Sequence, residues 1–283
     1  MDVFTSVPFK GNPVAVVLRA VGLTAEQMQQ IANWTNLSKT TFVLPTTDSK
    51  ADYRVRIFTP GAELPFAGHP TIGTAHALLE AGLVRAKDDG TLIQECGAGL
   101  IKLKVAREAS GEQWISFDLP EPKITALTDD RVDELETILG SPLRREFQPA
   151  LVDVRWIVAQ LPNAKAVLSS RPDLRRMKVQ DTKVKATGLV IFGENEEKAF
   201  ARIEVRAFAP AHGVNEDPVC GSGNGSVGAF IRHTNQMAHF GDEFLSSQGA
   251  AVGRAGVLRL AVNDQTVQVG GVAVTCIDGL IST

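Results

Sequence analysis

The chain is poor in residues on which several classes of protein depend. Of its 283 residues, three are cysteine, three are tryptophan and one is tyrosine. Cys96, Cys220 and Cys276 are odd in number and form no C-x-x-C pair, which argues against a disulfide framework and a structural zinc site. Glycine and proline occur at ordinary frequencies, so disorder and collagen-like repeats are excluded.

Excess charge and long apolar runs are also missing. The 29 basic and 32 acidic side chains give a formal charge of -3, which provides no positive field for nucleic acid or an anionic membrane. Apolar stretches such as Val14–Leu18 are far shorter than the ~20 residues of a membrane helix. Residues Met1–Thr5 lack the basic and apolar regions of a signal peptide. We therefore predict a cytoplasmic protein that binds neither nucleic acid nor membrane.

Local patterns predict a mixture of helices and strands. Thr24 and Gln27 have the form of a capping box, which starts a helix. Short β-branched segments bounded by turn residues predict strands. The basic stretch 171–185 is interpreted as a solvated face. The predicted helices cover residues 24–34, 71–81, 129–139 and 222–233, and the predicted strands cover 14–18, 40–44, 53–58, 91–94, 100–105, 114–117, 187–192, 201–208, 257–262 and 266–274.

Two prolines within three residues mark a change in the chain. Residues 119–122 read Leu-Pro-Glu-Pro, a sequence that interrupts both helices and strands. We place a domain boundary there, which gives an N-terminal lobe over 1–118 and a C-terminal lobe over 119–283. The last strand is free to return to the N-terminal lobe.

The two halves of the chain share a sequence echo. The pattern V-R-x-F-x-P occurs at residues 55–60 and again 150 positions later, and E-x-P-x-x-G occurs at residues 63–68 and again 153 positions later. The second copy therefore carries a three-residue insertion. A repeated strand, loop and helix predicts two similar lobes that face each other across a cleft.

Each copy places a glycine-containing loop directly before a predicted helix. Free backbone N–H groups and the positive end of a helix dipole meet at such a point and favour an anion. No G-x-x-x-x-G-K phosphate loop is present, so the expected ligand is a small carboxylate or a compound that forms an enolate. Gly221 and Gly223 alone fit a role in backbone geometry equally well, but the matching position of Gly68 favours a functional interpretation.

Several long motifs occur in the order found in one known family. They are Asn12-Pro13, Leu37-Ser38-x-Thr40-Thr41-Phe42, residues 56–60, residues 63–71 and Glu216-Asp217-Pro218-x-x-Gly221-Ser222. These motifs closely resemble the PhzF-like phenazine-biosynthesis family along the whole chain. The resemblance implies an α/β (α+β) fold of two pseudo-symmetric diaminopimelate-epimerase-like lobes. Each lobe is expected to be a curved, mostly antiparallel sheet around a central helix, with the active site in the interlobe cleft.

The resemblance also implies an activity. Its members are isomerases and epimerases that need no cofactor or metal, are usually dimers in the PhzF branch, and move a proton between carbons of a small carboxylate-bearing substrate. In that branch the substrate is trans-2,3-dihydro-3-hydroxyanthranilate. By position, His69, Asp217 and Ser222 match the residues that assist the reaction. The expected substrate-binding residues are Asn12, Gly68, Thr71, Gly221 and Gly223.

Lys39 stands where the family has its acid/base glutamate. A lysine is protonated at neutral pH, so it accepts a proton only where burial or a neighbouring cation favours the neutral amine. Two hypotheses follow. Either Lys39 exchanges the substrate proton, or the chain is a non-catalytic small-carboxylate-binding protein that has lost the family chemistry.

Cys220 is a second departure from the family pattern. It occupies the second-lobe thiol position of the two-thiol racemases in the wider superfamily, whereas the first-lobe equivalent is Ala67. The alanine argues against a two-thiol mechanism. Two roles stay open for Cys220, namely a single base at a helix N-terminus or a small residue that packs well.

Overall fold

The chain divides into two units, and its last segment belongs to the first of them. The computed structural model describes residues 1–109, 111–152 and 155–282. One unit comprises Met1–Asp118 with Gly270–Thr283, and the other comprises Leu119–Val269. Within the described residues, no helix combines the length and the apolar character that crossing a membrane requires.

Up to the start of the second unit, two helices separate short runs of strands. The helices are α1 (Ala25–Thr35) and α2 (Gly68–Glu80). The strands are β1 (Asp2–Val3), β2 (Asn12–Val17), β3 (Lys39–Leu44), β4 (Tyr53–Phe58), β5 (Glu63–Leu64), β6 (Thr91–Cys96), β7 (Gly99–Arg107) and β8 (Gln113–Leu119).

The rest of the chain contains five further helices and ten further strands among the described residues. The helices are α3 (Asp129–Leu139), α4 (Ala164–Ser169), α5 (Leu174–Val184), α6 (Gly221–His233) and α7 (Met237–Phe240). The strands are β9 (Ile124–Ala126), β10 (Ala150–Val152), β11 (Trp156–Gln160), β12 (Gly188–Glu194), β13 (Ile203–Ala209), β14 (Val214–Asp217), β15 (Glu243–Gln248), β16 (Gly256–Val262), β17 (Val267–Gly271) and β18 (Ala273–Val274).

The two units repeat one order of strand pairing. In the first unit, β2 pairs with β3 in parallel, β3 with β4 antiparallel, β4 with β6 in parallel and β6 with β7 antiparallel. In the second unit, β11, β12, β13, β15 and β16 pair in the same sequence of directions. The helices α2 and α6, each of 13 residues, occupy the same place in this order. The sequence echo therefore corresponds to a duplicated fold.

Alternating side chains on β11 place the helices of the second unit on two faces of its sheet. Trp156 donates a hydrogen bond from Nε1 to Ser222 Oγ on α6 at 3.0 Å. The next residue, Ile157, packs in an apolar cluster with side chains from α3 and α5. Because successive strand residues point to opposite faces, α6 lies on one face and α3 and α5 lie on the other.

The first unit is layered in the same way. On β3, Thr41 forms a hydroxyl–hydroxyl hydrogen bond of 2.9 Å with Thr74 of α2. Its neighbour Phe42 packs with Met28 and Ala32 of α1. The helices α2 and α6 therefore hold equivalent positions, each covering one face of the sheet in its own unit.

Most local predictions agree with the structure. Both hydrogen bonds of the Thr24 capping box are present, and α3 ends at Gly140 in the left-handed conformation. The predicted solvated face over 171–185 is the exposed side of α5, where the basic residues are exposed. The single strand predicted over 266–274 is wrong. It is interrupted at Val272, whose carbonyl accepts a hydrogen bond of 2.7 Å from the backbone N–H of Phe4.

The repeated V-R-x-F motif forms the same contacts in both units. Arg56 forms a two-pronged ion pair with Glu63 and lies 5.2 Å from the ring centre of Phe58. Arg206 pairs with Glu216 in the same manner and lies 4.9 Å from the ring of Phe208. The motif thus ties the strand β4 or β13 to the short strand that leads into the central helix.

The two ion pairs differ in how far they are buried. The side chains of Arg56 and Glu63 are 25% and 42% exposed, whereas those of Arg206 and Glu216 are 6% and 12% exposed. Arg206 also donates to the carbonyl oxygens of Val167 and Ser170 at 3.1 and 2.8 Å. Removing Arg206 would therefore leave the buried carboxylate of Glu216 and two buried carbonyl oxygens without this hydrogen-bond donor. Removing Arg56 would leave only a partly solvated carboxylate.

We expect Arg206→Met to lower the free energy of unfolding by about 3–5 kcal/mol, because it leaves a buried carboxylate unpaired. Its matched control Arg56→Met changes a largely solvated pair and is expected to cost about 0–1 kcal/mol. Urea unfolding monitored by circular dichroism measures both. Equal losses for the two variants would contradict the assignment of the stabilising role to the second pair.

Candidate functional site

The N-terminus of α2 is closely packed and has no side-chain cap. Ala67 is the N-cap residue, and its methyl group satisfies none of the first-turn N–H groups. Gly68 begins the helix in contact with the sheet, where a Cβ atom would lie 2.8 Å from Phe117 Cζ. A glycine is therefore required here for close approach, and the N–H groups at this helix end are available to an anion.

His69 follows at the same helix end as a buried, neutral base. Its Nε2 atom has no hydrogen-bond partner among the described residues. Burial, and secondly the positive charge of Lys39, holds the pKa of His69 well below its usual 6.5. Both causes disfavour the imidazolium, so the ring is neutral at physiological pH.

Lys39 is the first residue of β3 and is half-buried. Its backbone is in register with Val14 of the parallel strand β2. The preceding residue, Ser38, donates from Oγ to Asn12 Oδ1 at 3.2 Å, and Asn12 is fully buried. Asn12 therefore holds the turn that leads into Lys39 and β3, and its predicted role in substrate binding stays a prediction.

Thr71 is fully buried one turn into α2. Its hydroxyl donates to the carbonyl oxygen of Ala67 at 3.0 Å and accepts from Gln94 Nε2 at the same distance. The Thr71 hydroxyl thus donates one hydrogen bond and accepts another, both within the first unit. Thr71 therefore contributes to the geometry of the helix end, and its predicted role in substrate binding stays a prediction.

The N-terminus of α6 differs by being capped by a thiol. Cys220 is the N-cap residue, is buried, and accepts a hydrogen bond through Sγ from the backbone N–H of Gly223 at 3.3 Å. A Cβ atom on Gly223 would lie 3.1 Å from that sulfur, so the absence of a side chain allows the cap to form. Gly221 is the first helical residue and is also buried.

Ser222 and Asp217 complete the set of predicted residues in the second unit. Ser222 Oγ accepts from Trp156 Nε1 and lies 3.6 Å from Cys220 Sγ. Asp217 is half-buried at the end of β14, where Oδ1 accepts from the backbone N–H of Val219 at 3.1 Å.

Two polar residues that the sequence patterns did not single out hold this loop. Gln248 Oε1 accepts from the backbone N–H of Cys220 at 2.9 Å, and its Nε2 donates to the carbonyl of Asp217 at 2.7 Å. Asn224 Nδ2 donates to the Cys220 carbonyl at 2.9 Å and to Gln248 Oε1 at 2.8 Å. Both side chains are buried. Asn224 lies within the glycine-rich run Gly221–Gly225, whereas Gln248 belongs to no short motif that would reveal it.

The predicted residues thus form two groups, each assembled within one unit. Asn12, Lys39, Gly68, His69 and Thr71 belong to the first unit, and Asp217, Cys220, Gly221, Ser222 and Gly223 belong to the second. The shared cleft expected for them stays a prediction. Over the described ranges, no group of three or more His, Cys, Asp or Glu residues is arranged to hold a metal ion.

Comparison with known proteins identifies the family. The sequence profile of the PhzC-PhzF family, described as phenazine biosynthesis-like protein, matches residues 1–279. The chain belongs to this family. It is 44% identical over 289 residues to antisense-enhancing sequence 1 of Schizosaccharomyces pombe, a match that covers 99% of this chain and 96% of that protein.

Relatives within the PhzC-PhzF family carry isomerase names. The chain is 35% identical over 262 residues to trans-2,3-dihydro-3-hydroxyanthranilate isomerase of Pseudomonas chlororaphis, covering 91% of this chain and 87% of that enzyme. A PhzF-family crystal structure from Bacillus anthracis superposes with a TM-score of 0.83 at 25% identity, covering 96% and 93% of the two chains. The predicted fold class is confirmed, and the chain is an isomerase-type enzyme of the PhzC-PhzF family. These relatives give no support to the non-catalytic alternative. The homodimer and the cytoplasmic location stay predictions.

We expect an NMR titration of the His69 ring to show a neutral imidazole well below pH 6.5, since burial and Lys39 both oppose protonation. Lys39→Met should raise this pKa without restoring 6.5, because burial is the larger cause. A ring that titrates near pH 6.5 in the wild-type protein would contradict the described environment.

The lowered pKa of His69 makes the stability of the fold depend on pH. Because the pKa of His69 is lower in the folded state, the unfolded chain binds more protons between the two pKa values. Stability should therefore decline as the pH falls below about 6.5, towards the lower folded-state value. His69→Gln should weaken that decline, which urea unfolding at a series of pH values will measure.

Proposed function

We propose that this PhzF-family enzyme isomerises a small carboxylate-bearing metabolite by moving a proton between carbon atoms, without a cofactor. The observation that carries the proposal is the neutral His69, buried at the N-terminus of α2 with Nε2 unpartnered among the described residues and Lys39 as a nearby cation. The similarity to trans-2,3-dihydro-3-hydroxyanthranilate isomerase supports that compound as the first substrate to test.

The helix ends supply the electrostatics of the proposed reaction. The first-turn N–H groups of Gly68 and His69 in α2, and those of α6 other than the one of Gly223 that Cys220 caps, have no partners within their helices and attract negative charge. We assign them to the carboxylate of the substrate and to the charge that develops on it. Stabilising such charge with fixed donors is commonly the largest contribution to catalysis.

The proposed proton transfer starts at His69. Its Nε2 takes a carbon-bound proton, and the C–H electron pair remains on the substrate as an enolate-type anion. Return of a proton to a different carbon gives an isomer with the same atoms and the same oxidation level. No electron carrier is needed for this exchange.

Lys39 has an electrostatic role in this proposal. An ammonium group beside the reacting centre favours the enolate-type anion, whereas the glutamate found at this position in the family resemblance would oppose it. A cation here also keeps the neighbouring His69 unprotonated, and therefore ready to accept a proton. The lysine thus changes which side chain serves as the base.

Cys220 is assigned a capping role rather than a chemical one. Its sulfur accepts a hydrogen bond from Gly223, and the residue is buried at the start of α6. This geometry supports the small packing residue over the single base. Ser222, held by Trp156, and Asp217, held by Val219, are assigned to orienting the substrate.

The test is exchange of carbon-bound hydrogen in D₂O, followed by ¹H NMR with trans-2,3-dihydro-3-hydroxyanthranilate. The wild-type enzyme should remove a carbon-bound proton signal, and His69→Gln should slow this by about 10²-fold or more, the usual contribution of a general base. The matched control is His233→Gln, which changes an exposed histidine in the last turn of α6. No exchange by the wild-type enzyme, with this compound or a panel of amino and hydroxy carboxylates, would overturn the proposal.

A second comparison separates the two roles of Lys39. If Lys39 acts as a cation, Lys39→Arg should keep most of the exchange rate and Lys39→Met should lose about tenfold or more. If Lys39 itself carries the proton, both variants should lose activity to the same extent, because arginine does not deprotonate in proteins. Initial rates at saturating substrate measure the difference.

A further inference from the structure

One hydrogen bond outside the repeated motifs occurs in the central helix of each unit. In α2, Thr71 Oγ1 donates to the carbonyl of the N-cap residue Ala67 at 3.0 Å. In α6, Asn224 Nδ2 donates to the carbonyl of the N-cap residue Cys220 at 2.9 Å. Both donors are the fourth residue of their helix and are fully buried. The same bond is therefore made by two different side chains.

Each of these donors is held by a side chain from the neighbouring sheet. Gln94 of β6 donates from Nε2 to Thr71 Oγ1 at 3.0 Å, and Ser246 of β15 donates from Oγ to Asn224 Oδ1. Gln94 and Ser246 are fully buried. In the first unit, the Tyr53 hydroxyl adds a further hydrogen bond by donating to Gln94 Oε1 at 3.0 Å.

Strand register shows that these two holders are equivalent. Gln94 is in register with Tyr53 of the parallel strand β4, and Ser246 is in register with Ile203 of the parallel strand β13. Tyr53 and Ile203 are 150 positions apart, the offset of the V-R-x-F-x-P echo. Residue types differ between the copies, whereas the hydrogen-bonded geometry is the same.

The hydrogen bond to the N-cap carbonyl influences the direction in which the first-turn N–H groups point. The N-cap peptide joins the loop to the helix, so fixing its carbonyl fixes the orientation of the peptides that follow. In a buried setting, loss of one partner leaves a polar group unpaired, which makes the arrangement costly to break. A helix end held in this way is preorganised for an anion.

We propose that Gln94 and Ser246 are positioning residues, which act through Thr71 and Asn224 to hold the N-cap carbonyls and aim the first-turn N–H groups of α2 and α6. This proposal rests on the proposed function, in which those N–H groups bind the substrate anion. It assigns the two residues no contact with substrate.

The first unit offers a matched set of variants. Thr71→Val removes the hydroxyl that bonds Ala67, Thr71→Ser keeps it, and Thr74→Val removes another buried hydroxyl of α2 that bonds Thr41 instead. We expect Thr71→Val to weaken binding of anthranilate, a non-reactive carboxylate probe, by about tenfold, the usual effect of one lost buried hydrogen bond. Thr71→Ser should restore the affinity, and Thr74→Val should retain it.

The second unit offers an independent pair. Ser246→Ala removes the hydroxyl that holds Asn224, whereas Ser226→Ala removes a buried α6 hydroxyl with no partner among the described residues. Only Ser246→Ala should weaken anthranilate binding, and by less than Thr71→Val, because Gln248 still holds Asn224. Equal binding by Ser246→Ala and Ser226→Ala would overturn the assignment of Ser246.

Amide hydrogen exchange separates failure of this proposal from failure of the proposed function. In the ligand-free protein, Thr71→Val should speed exchange at Gly68 and His69, and Thr74→Val should leave it unchanged. If wild-type protein does not bind anthranilate but this exchange pattern appears, the ligand assignment fails and the positioning role stands. If Thr71→Val and Thr74→Val give the same exchange and the same affinity, the positioning role is wrong.

Discussion

The N-terminus of a helix buried against a sheet is the constraint on which this structure depends. First-turn N–H groups have no partner inside the helix, and leaving them unpaired in a dry environment is costly. In α6, Cys220 Sγ accepts from the N–H of Gly223, whereas α2 has no side-chain cap. Both central helices are closely packed, and in each the N-cap carbonyl is held by the fourth helical residue. Gly68 and Gly225 permit that packing, since a Cβ atom would lie 2.8 Å from Phe117 Cζ and 2.0 Å from Leu119 Cδ1, respectively. In the proposed function, the remaining N–H groups bind the substrate anion.

The two units share this packing of the helix N-terminus, but they differ in the side chains that lie there. The first helix end carries Ala67 and the imidazole of His69, and the second carries the thiol of Cys220 and the hydroxyl of Ser222. Among the described residues of these two helix ends, the neutral imidazole of His69 belongs to the first. In the proposed function this difference assigns proton transfer to the first unit and substrate orientation to the second. Lys39 adds a cation beside the base, which distinguishes the chain from the glutamate pattern of the family resemblance.

Candidate-site residues that lie in contiguous motifs could be named from the sequence, and their joint role as a site stays a prediction. The glycine loops before the two helices, the repeated arginine and glutamate, and the capping box at Thr24 are local patterns, and local backbone geometry is enough to specify them. Trp156, Gln248 and Gln94 had no such signal. Each is an isolated polar or aromatic residue within a strand, and its partner is at least 23 positions away in sequence.

Periodicity, turn chemistry and the repeated motifs were enough to predict the duplication, the helices α1, α2, α3 and α6, and most strands of the first unit. They gave no signal for the strands β11 and β15 or for the helices α4, α5 and α7. They did identify the residues at both helix ends. The tertiary structure decided the state of those residues. Burial and Lys39 make His69 neutral, and the cap hydrogen bond occupies the sulfur of Cys220. The physical reason is that desolvation and hydrogen bonding depend on neighbours brought together by strand pairing, which residue spacing along the chain does not contain.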